Sequence, residues 1–356
     1  TSPNPMVGAV VVRRGRVVGE GYHHRAGGVH AEILALRRAG PRARGADLYV
    51  SLEPCNHAGR TPPCTRAILD AGIARVIAAL PDPNPRVAGG GGAALSRSGV
   101  VVLRPGRGRA EAAARQNERF LTWAILGRPF VLAKWASSLD GKIADSDGRS
   151  RWITGEAARR RALLWREEHD AVLVGAGTVA ADDPLLTRRL GLHRGRQWRV
   201  VLDGRLRLSE SARLLDEPEG VLIVTSRSAD HPKVRRLAAR GVEVWSLPGD
   251  SRGRFSVREL LRRLAKRDVT GLMVEGGADT LWQFLQAGVV DRVAAFLSPQ
   301  VLGGLAAPGS VAGEGFRLGK GVRIVGVRAE RIGEDLLVTG RVAGHERSMV
   351  PHRRRR

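Results

Sequence analysis

The sequence predicts an α/β protein made of two domains. Its 356 residues exceed the roughly 250–300 at which a single hydrophobic core stops growing. Short apolar strands alternate with amphipathic helices along most of the chain, and this alternation restarts after Gly127-Arg128-Pro129. We therefore predict a first domain over 1–126, a second domain over 127–346 and a basic, disordered tail over 347–356.

The first domain begins with a predicted hairpin, because two apolar runs flank Arg13-Arg14-Gly15. A later helix is predicted to begin at Cys64, since Pro62-Pro63 precedes it and proline is favoured in the first turn. The glycine-rich stretch 89–92 is predicted to be a turn. The predicted elements are strands 7–12 and 16–22, helix 31–38, strand 48–52, helix 64–69, strand 74–80, a short helix, strand 100–103 and helix 110–126.

The second domain is predicted to contain a mixed sheet. Its first strands are separated by helices, which favours parallel pairing, whereas its last three strands have no helix between them. The predicted strands are 130–136, 171–174, 200–202, 221–225, 242–245 and 271–274, followed by the antiparallel strands 292–297, 322–327 and 336–342. The predicted helices are 156–168, 233–240, 257–266 and 280–287.

The formal net charge of +24 raises the hypothesis of a nucleic-acid-binding protein. Only five of the 59 basic residues are lysines, a skew that indicates GC-rich coding rather than selection for a basic surface. Aromatic residues make up 4% of the chain, too few for an obvious base-stacking platform. We therefore expect no specific nucleic-acid partner, and arginines that bind phosphorylated small molecules.

Localisation follows from two features of the sequence. No apolar run reaches the roughly 18 residues needed to cross a bilayer, and no signal peptide is visible, so no membrane partner is expected. The only two cysteines are both assigned to a metal site below, which leaves none for a disulfide and fits a reducing cytoplasm. The chain begins at Thr1 rather than at methionine, so we expect a missing N-terminal piece.

The strongest chemical signal is a set of four residues: His30, Glu32, Cys55 and Cys64. Zinc prefers tetrahedral nitrogen and sulfur ligands, and a catalytic zinc site has three protein ligands and leaves the fourth position to water. We predict His30, Cys55 and Cys64 as zinc ligands and Glu32 as the catalytic proton carrier of a hydrolytic deaminase. The alternative is two buried, inert cysteines beside a surface histidine.

Two glycine-rich turns in the second domain are candidates for phosphate binding. Residues 175–180 fit the loose G-x-G-x-x-G/A pattern, and residues 275–278 connect a strand to a helix. Asp182-Asp183-Pro184 would stop any helix too early for a Rossmann unit, so the first turn is the weaker candidate. Plain tight turns remain the alternative for both. By composition alone, Asp140 and Trp152 are expected to be a turn residue and a packing residue.

Several short motifs occur in the order seen in one known family. They are Pro3-Asn4-Pro5, His30-Ala31-Glu32, 53–64 and 81–85 in the first domain, then 138–142, Trp152-Ile153-Thr154, 182–187 and 274–277 in the second. On these motifs the chain resembles the bifunctional riboflavin-biosynthesis deaminase–reductases, the RibD family. The eight residues between the cysteines are specific, since nucleic-acid deaminases usually carry a C-x-x-C spacing.

The resemblance implies a cytidine-deaminase-like, three-layer α/β/α first domain. This domain would remove the 2-amino group of 2,5-diamino-6-ribosylamino-4(3H)-pyrimidinone 5′-phosphate as ammonia, with one zinc ion per chain. Family positions that hold this phosphorylated pyrimidine correspond to Asn4, His23, His57, Arg60, Asp82 and Asn84. The family usually has a further helix before the position of Thr1.

The second domain would be dihydrofolate-reductase-like and would use NADPH to convert the ribosyl side chain to ribityl, which gives 5-amino-6-ribitylamino-uracil 5′-phosphate. Family positions that bind NADPH correspond to Ala136, Trp152, Thr178, Asp182, Gly277, Ala278, Asp279 and Thr280. Substrate positions of this reductase correspond to Ser150, Arg166, Leu186, Arg189 and Glu275. A homo-oligomer is compatible with the sequence.

Two other functions stay open at this stage. The second domain could bind a nucleotide without reducing anything, which leaves a deaminase alone. The chain could also be an arginine-rich nucleic-acid-binding protein with a structural zinc, although a structural site would fill its fourth position with a protein side chain and no third cysteine exists.

Overall fold

A computed structural model describes residues 1–57, 62–84, 90–192, 195–227, 231–250 and 254–344. The chain divides into two compact units, Thr1–Arg128 and a second unit that begins at Pro129. Each unit has its own sheet, of five and nine strands respectively. Within the described ranges, no helix combines the length and the apolar character that a membrane span requires. The predicted tail over 347–356 lies outside the described residues.

The first unit is a five-stranded sheet in the order β2-β1-β3-β4-β5. Its elements are β1 (Gly8–Arg13), β2 (Arg16–Tyr22), α1 (Ala31–Ala39), β3 (Asp47–Val50), α2 (Cys64–Asp70), β4 (Arg75–Ala78), α3 (Gly91–Arg97), β5 (Val101–Leu103), α4 (Arg107–Gln116) and α5 (Glu118–Leu126). Strand β1 is antiparallel to β2 and β3, whereas β3, β4 and β5 are parallel. The predicted hairpin and α/β class are confirmed.

Helix α1 lies directly on strand β2 because two glycines leave room for it. A Cβ atom on Gly19 would lie 2.3 Å from the carbonyl oxygen of Ala35, and one on Gly21 would lie 2.6 Å from Cβ of Leu34. Real Cβ atoms do not approach so closely, so both positions require glycine. This contact fixes the first turn of α1, which carries Glu32, against the sheet.

The second unit is a nine-stranded mixed sheet in the order β10-β9-β8-β7-β11-β6-β12-β14-β13. Its elements are β6 (Phe130–Ser138), α6 (Glu156–Glu168), β7 (Ala171–Gly175), α7 (Ala176–Asp182), β8 (Trp198–Leu202), β9 (Val221–Thr225), α8 (Pro232–Ala239), β10 (Glu243–Ser246), α9 (Val257–Ala265), β11 (Gly271–Glu275), α10 (Ala278–Gln286), β12 (Arg292–Ser298), β13 (Ile324–Ile332) and β14 (Asp335–Val342). Strands β10 to β12 in this order are parallel, and β14 and β13 are antiparallel additions. The prediction of a mixed sheet is confirmed.

Several predicted elements differ from the structure: residues Ala176–Asp182 of the first glycine-rich turn form helix α7, and α3 begins at Gly91, within the turn predicted over 89–92. Two further differences have a clear physical reason. The single helix predicted over 110–126 is two helices that meet at Asn117, whose buried side chain pairs with the backbone N–H and C=O of Met6 at 2.7 and 2.9 Å. The strand predicted over 322–327 runs to Ile332, because edge strand β13 continues through exposed polar residues that show no apolar alternation.

Candidate active sites

Three predicted zinc ligands converge in the first unit. Nδ1 of His30 lies 3.2 Å from Sγ of Cys64 and 3.6 Å from Sγ of Cys55, and the ligand atoms of all three lie within 4.8 Å of one another. One nitrogen and two sulfurs at this spacing match the donor set of tetrahedral zinc. The nitrogen that faces both sulfurs is Nδ1, so the structure identifies the ligating atom of His30.

The sequence brings these ligands together through a strand end and two helix starts. Residue His30 precedes α1, Cys55 follows β3 and Cys64 is the first residue of α2. The backbone N–H of Cys64 donates to Sγ of Cys55 at 3.4 Å, and the N–H of Thr65 donates to the Cys55 carbonyl at 3.2 Å. The N-terminus of α2 thus supports negative charge on Cys55.

The electrostatics of the thiols favour a bound cation. Hydrogen bonding to Cys64 and then to His30 lowers the pKa of Cys55 to about 4, despite its partial burial. The same contact, together with burial, raises the pKa of the Cys64 thiol. Without a cation the pair therefore holds one thiolate readily and resists a second, and a divalent metal is what lets both ionise. The residues fit zinc.

Glu32 is buried beside this cluster and is not one of its ligands. Its side chain is 4% exposed, and burial raises the pKa of its carboxyl above the usual value, with the charge on Cys55 acting in the same direction. A carboxyl whose pKa is shifted toward neutrality can take up and release a proton at working pH. Among the described residues, the metal-ligand group contains three members and no fourth side chain, which disfavours a closed structural site.

Two predicted substrate residues, Asn4 and His23, contact each other next to the metal cluster. Nδ1 of His23 lies 3.1 Å from the carbonyl oxygen of Val29 and therefore carries the proton, so Nε2 accepts from the Asn4 amide at 3.1 Å. Burial lowers the pKa of His23, which keeps it neutral, and its ring lies edge-on to His30 with centroids 5.6 Å apart. The two rings and the amide form one wall beside the metal ligands.

Asp82 lies within electrostatic range of the metal ligand Cys55 and of His57. Oδ1 of Asp82 accepts from the backbone N–H of Asn84 at 2.9 Å. Burial raises the pKa of Asp82, as do Glu53 and Cys55, while His57 lowers it, so these groups lie within electrostatic range of one another. The predicted residue Arg60 lies outside the described residues.

All thirteen positions predicted for the reductase line one cavity of about 1360 Å³ in the second unit. They are Ala136, Ser150, Trp152, Arg166, Thr178, Asp182, Leu186, Arg189, Glu275, Gly277, Ala278, Asp279 and Thr280. The cavity lies where parallel strands β6, β7 and β11 end, which is the usual ligand position in such sheets. Their roles in binding remain predictions.

The two glycine-rich turns are neighbours in space. A Cβ on Gly175 would lie 2.6 Å from Oγ1 of Thr280, and one on Gly277 would lie 3.2 Å from the hydroxyl oxygens of both Thr178 and Thr280. Gly277 also has a φ of +75°, which disfavours other residues. The N-termini of α7 and α10 thus meet at one point of the cavity, where their free N–H groups favour an anion.

A buried charge cluster faces the cavity at the end of β11. Nη2 of Arg166 lies 2.5 Å from Oε2 of Glu275, with the two side chains 13% and 10% exposed. Burial opposes ionisation of Glu275, but Arg166 and Lys134 outweigh it and lower the pKa of this carboxyl. Burial also lowers the pKa of Lys134, and Glu275 only partly offsets this. Sequence reasoning missed Lys134; the available signal was a charged residue inside an apolar strand.

Three cavity residues differ in how they can meet a ligand. Oγ of Ser150 donates to Oδ1 of Asp182 at 2.6 Å, which orients both. Trp152 is 70% exposed, with the Arg159 guanidinium 4.5 Å from its ring centroid, so the packing interpretation of Trp152 is wrong. Leu186 is 2% exposed at a φ of +56°, and its side chain belongs to the core. It can therefore meet a ligand mainly through its backbone.

Asp140 has the role of a turn residue, as expected. Its carboxylate accepts hydrogen bonds from Oγ of Ser138 at 2.5 Å and from the backbone N–H groups of Leu302 and Gly303 at 3.1 and 2.7 Å. These bonds lower the pKa of Asp140 to about 2. Asp140 therefore connects the turn after β6 to the segment after β12.

The fold and the two sites define a zinc-type hydrolytic deaminase joined to a nucleotide-dependent reductase. Family comparisons agree: the cytidine and deoxycytidylate deaminase zinc-binding region matches residues 1–80, and the RibD C-terminal domain matches residues 129–338. The chain belongs to the RibD family of riboflavin biosynthesis proteins, which are bifunctional enzymes that use zinc and NADPH.

Individual relatives cover nearly the whole chain. The riboflavin biosynthesis protein RibD of Aquifex aeolicus is 42% identical over 341 residues, which cover 95% of this chain and 92% of that protein. The structure of Acinetobacter baumannii RibD superimposes with a TM-score of 0.85 at 36% identity, covering 96% of this chain and 94% of that one. A diaminohydroxyphosphoribosylaminopyrimidine deaminase/5-amino-6-(5-phosphoribosylamino)uracil reductase from Thermotoga maritima gives 0.82 at 37% identity, with 96% and 93% covered.

Proposed function

We propose that the chain deaminates 2,5-diamino-6-ribosylamino-4(3H)-pyrimidinone 5′-phosphate and then reduces the ribosyl group to ribityl, giving 5-amino-6-ribitylamino-uracil 5′-phosphate. The observation that carries this proposal is the presence, on one chain, of the His30–Cys55–Cys64 cluster beside Glu32 and of a large cavity lined by the reductase positions. The name of the Thermotoga maritima relative, which is similar over almost its full length, supports the same two reactions.

In the deaminase site, His30 Nδ1 and the sulfurs of Cys55 and Cys64 would hold zinc. When bound, zinc supplies Lewis acidity that makes water a nucleophile at neutral pH. A carboxylate oxygen of Glu32 takes the proton and returns it to the departing amine, because burial has raised the pKa of this group. Asn4, oriented by neutral His23, contributes an amide that can recognise the edge of a pyrimidine ring.

In the reductase site, bound NADPH would supply the hydride for C1′ of the sugar. The paired N-termini of α7 and α10 would hold its pyrophosphate, and the exposed ring of Trp152 offers an aromatic face. Glu275 and Arg166 present a fixed carboxylate and guanidinium to the ribosyl hydroxyls, and Arg189 is the wall residue suited to the substrate phosphate. Lys134, whose pKa is lowered by burial, could give a proton to the ring oxygen O4′ as the C1′–O4′ bond breaks.

A two-stage assay tests this function. Zinc-loaded protein is incubated with the diaminopyrimidine phosphate, and ammonia release and NADPH oxidation are followed together. We expect ammonia first and one NADPH oxidised per ammonia. If NADPH is not consumed even when the deaminated intermediate is supplied, the second unit is a silent nucleotide-binding domain and the reductase half of the proposal fails.

The remaining partner and location expectations follow from the same chemistry. The partner is a small phosphorylated pyrimidine, and neither a specific nucleic acid nor a membrane is needed for the reaction. Two cysteines held in a metal site and not in a disulfide fit a reducing compartment, which favours the cytoplasm. A homo-oligomer stays compatible with this assignment, and sedimentation of the zinc-loaded chain measures it.

A further inference from the structure

A dinucleotide bound at the predicted NADPH positions would extend across several strand ends of the second unit. Ala136, an NADPH position, lies on β6, and the paired turns follow β11 and β7. In the sheet order β8-β7-β11-β6, the next strand end beyond the turns belongs to β8. Three strand spacings separate β6 from β8, or about 14 Å, a distance that an extended dinucleotide spans. With the nicotinamide beside Ala136, the adenosine end would reach the carboxyl end of β8.

The cavity wall at that end carries a group of arginines. Arg205 and Arg207 follow β8, and Arg254 precedes α9; all three line the cavity. We propose that Arg205 and Arg207, with Arg254, bind the 2′-phosphate of the adenosine ribose and so select NADPH over NADH. This inference rests on the proposed reductase function and adds the residues that determine its coenzyme preference.

The acidic residue after β8 does not oppose this assignment. In many dinucleotide sites a carboxylate near the second strand end binds the ribose 2′-hydroxyl of NAD, and an arginine there accommodates the 2′-phosphate of NADP. Asp203 holds that position, but it is 2% exposed and accepts from the backbone N–H groups of Arg207 at 2.8 Å and Leu208 at 2.6 Å. The Asp203 carboxylate thus accepts hydrogen bonds that hold the 203–208 loop, and it is not available to a ribose hydroxyl.

Neighbouring strand ends bring Arg254 to the same place. Oγ and the backbone N–H of Ser226, after β9, both donate to the carbonyl of Gly204 at 2.5 and 3.1 Å. After β10, a Cβ on Gly249 would lie 2.8 Å from Cβ of Ser226 and 3.2 Å from the carbonyl oxygen of Arg254. The three loops pack in series, so Arg254 is connected to Gly204, the residue before Arg205, through Gly249 and Ser226.

The chemistry of the group suits a phosphate monoester. Guanidinium groups bind phosphate oxygens in a bidentate, charge-assisted geometry that a ribose hydroxyl cannot reproduce. Arg254 is balanced by Asp250 at 2.9 Å, whereas no ion pair is recorded for the Arg207 side chain with any residue of the described ranges.

Calorimetric titration of the full zinc-loaded chain with two small probes tests the proposal without any turnover. The probes are adenosine 2′,5′-bisphosphate, which has the 2′-phosphate, and 5′-AMP, which lacks it. The unchanged chain should bind the bisphosphate at least about tenfold more tightly, which corresponds to about 1.4 kcal/mol, because only this probe can form charged hydrogen bonds from its 2′-phosphate to the arginines. In the double variant Arg205→Gln/Arg207→Gln this preference should fall below about threefold, with the affinity for 5′-AMP unchanged.

The control is Arg235→Gln, which removes one positive charge from the exposed face of α8, outside the cavity lining. It should keep the full preference. Equal binding of both probes by the unchanged chain, or a preference that survives in the double variant, would overturn the inference while leaving the reductase proposal intact. Failure of both probes to bind would overturn the inference and the NADPH site together. The single variant Arg207→Gln gives a separate readout if the double variant does not fold.

Discussion

The metal cluster of the first unit and the cavity of the second unit differ in size and in the number of elements that build them. In the first unit three ligand atoms meet within 4.8 Å, supplied by two helix starts and one strand end. In the second unit thirteen predicted positions spread over about 1360 Å³ of cavity, supplied by at least three strand ends. The first site depends on one ion, whereas the second depends on the integrity of a sheet. The two should therefore fail independently.

The largest effect should come from loss of one metal ligand. In Cys64→Ser the harder hydroxyl replaces a thiolate, so we expect the zinc content to fall well below one per chain and deamination to be lost. NADPH oxidation with the supplied deaminated intermediate should stay within about twofold of the unchanged chain. Metal analysis and the two half-assays measure this. Retained stoichiometric zinc with full deamination would show that the ion is held elsewhere.

The reciprocal change is Glu275→Gln, which keeps the shape of the side chain but leaves Arg166 and Lys134 without their buried counter-charge. We expect the reductase rate to fall by a factor of about 10² or more, because the buried cations Arg166 and Lys134 would face a neutral amide in place of the Glu275 carboxylate. Deamination should be unaffected. Glu259→Gln, which removes a surface carboxylate paired with Arg262, is the control and should leave both rates unchanged. Equal loss of both activities would contradict independent sites.

A smaller effect should come from adding one methyl group at Gly91, which lies behind the loop that carries Cys55. A Cβ on Gly91 would lie 1.9 Å from the carbonyl oxygen of Pro54, the residue before Cys55, so Gly91→Ala must displace α3 or this loop. We expect zinc affinity to fall by about 10- to 100-fold, the range typical of disturbed outer contacts of a metal site. Gly92→Ala is the matched control, since its Cβ has no contact closer than 3.4 Å. Competition with a chromophoric chelator distinguishes the two variants, and equal affinities would refute the role given to Gly91.

The smallest effect concerns stability and pH in the second unit. Hydrogen bonds from Ser138, Leu302 and Gly303 lower the pKa of Asp140 to about 2, below the ordinary value of about 3.9 for an unfolded aspartate. A lowered folded-state pKa contributes stability above the unfolded pKa, and this contribution is lost as pH falls from about 4 to about 2. The difference in Tm between the unchanged chain and Asp140→Asn should therefore be largest near neutrality and shrink over that window.

Tryptophan fluorescence is a suitable probe of this effect, because six of the seven tryptophans lie after Pro129. A Tm difference that stays constant from pH 6 to pH 2 would show that the Asp140 carboxylate does not contribute through its charge. A difference that grows on acidification would contradict the sign derived from the lowered pKa.

Features that depend on local residue patterns could be predicted from the sequence, whereas features that depend on distant contacts could not. The zinc ligands were recognisable because few residue types bind zinc and the chain has only two cysteines. The mixed sheet followed from strands separated by helices and a helix-free end. The division at Asn117 was missed, because it depends on a contact with Met6 over a hundred positions away. No local pattern reports such a contact.

The cavity was harder to derive from residue patterns. Its two glycine-rich stretches lie about a hundred residues apart in sequence, so no local pattern relates them. Only their packing through Thr178 and Thr280 makes them one anion site. Lys134 could have been predicted as a site residue, because it is a charged residue within an apolar strand. Arg207 carried none, because a single arginine in an arginine-rich chain is distinguished only by the wall on which it lies.

The most direct test of two independent sites on one chain uses the variant Glu32→Gln with each substrate in turn. Given the diaminopyrimidine phosphate, the zinc-loaded variant should release no ammonia and oxidise no NADPH. Given the deaminated intermediate, it should oxidise NADPH at the rate of the unchanged chain. Ammonia release at the normal rate, or failure to reduce the supplied intermediate, would contradict the account.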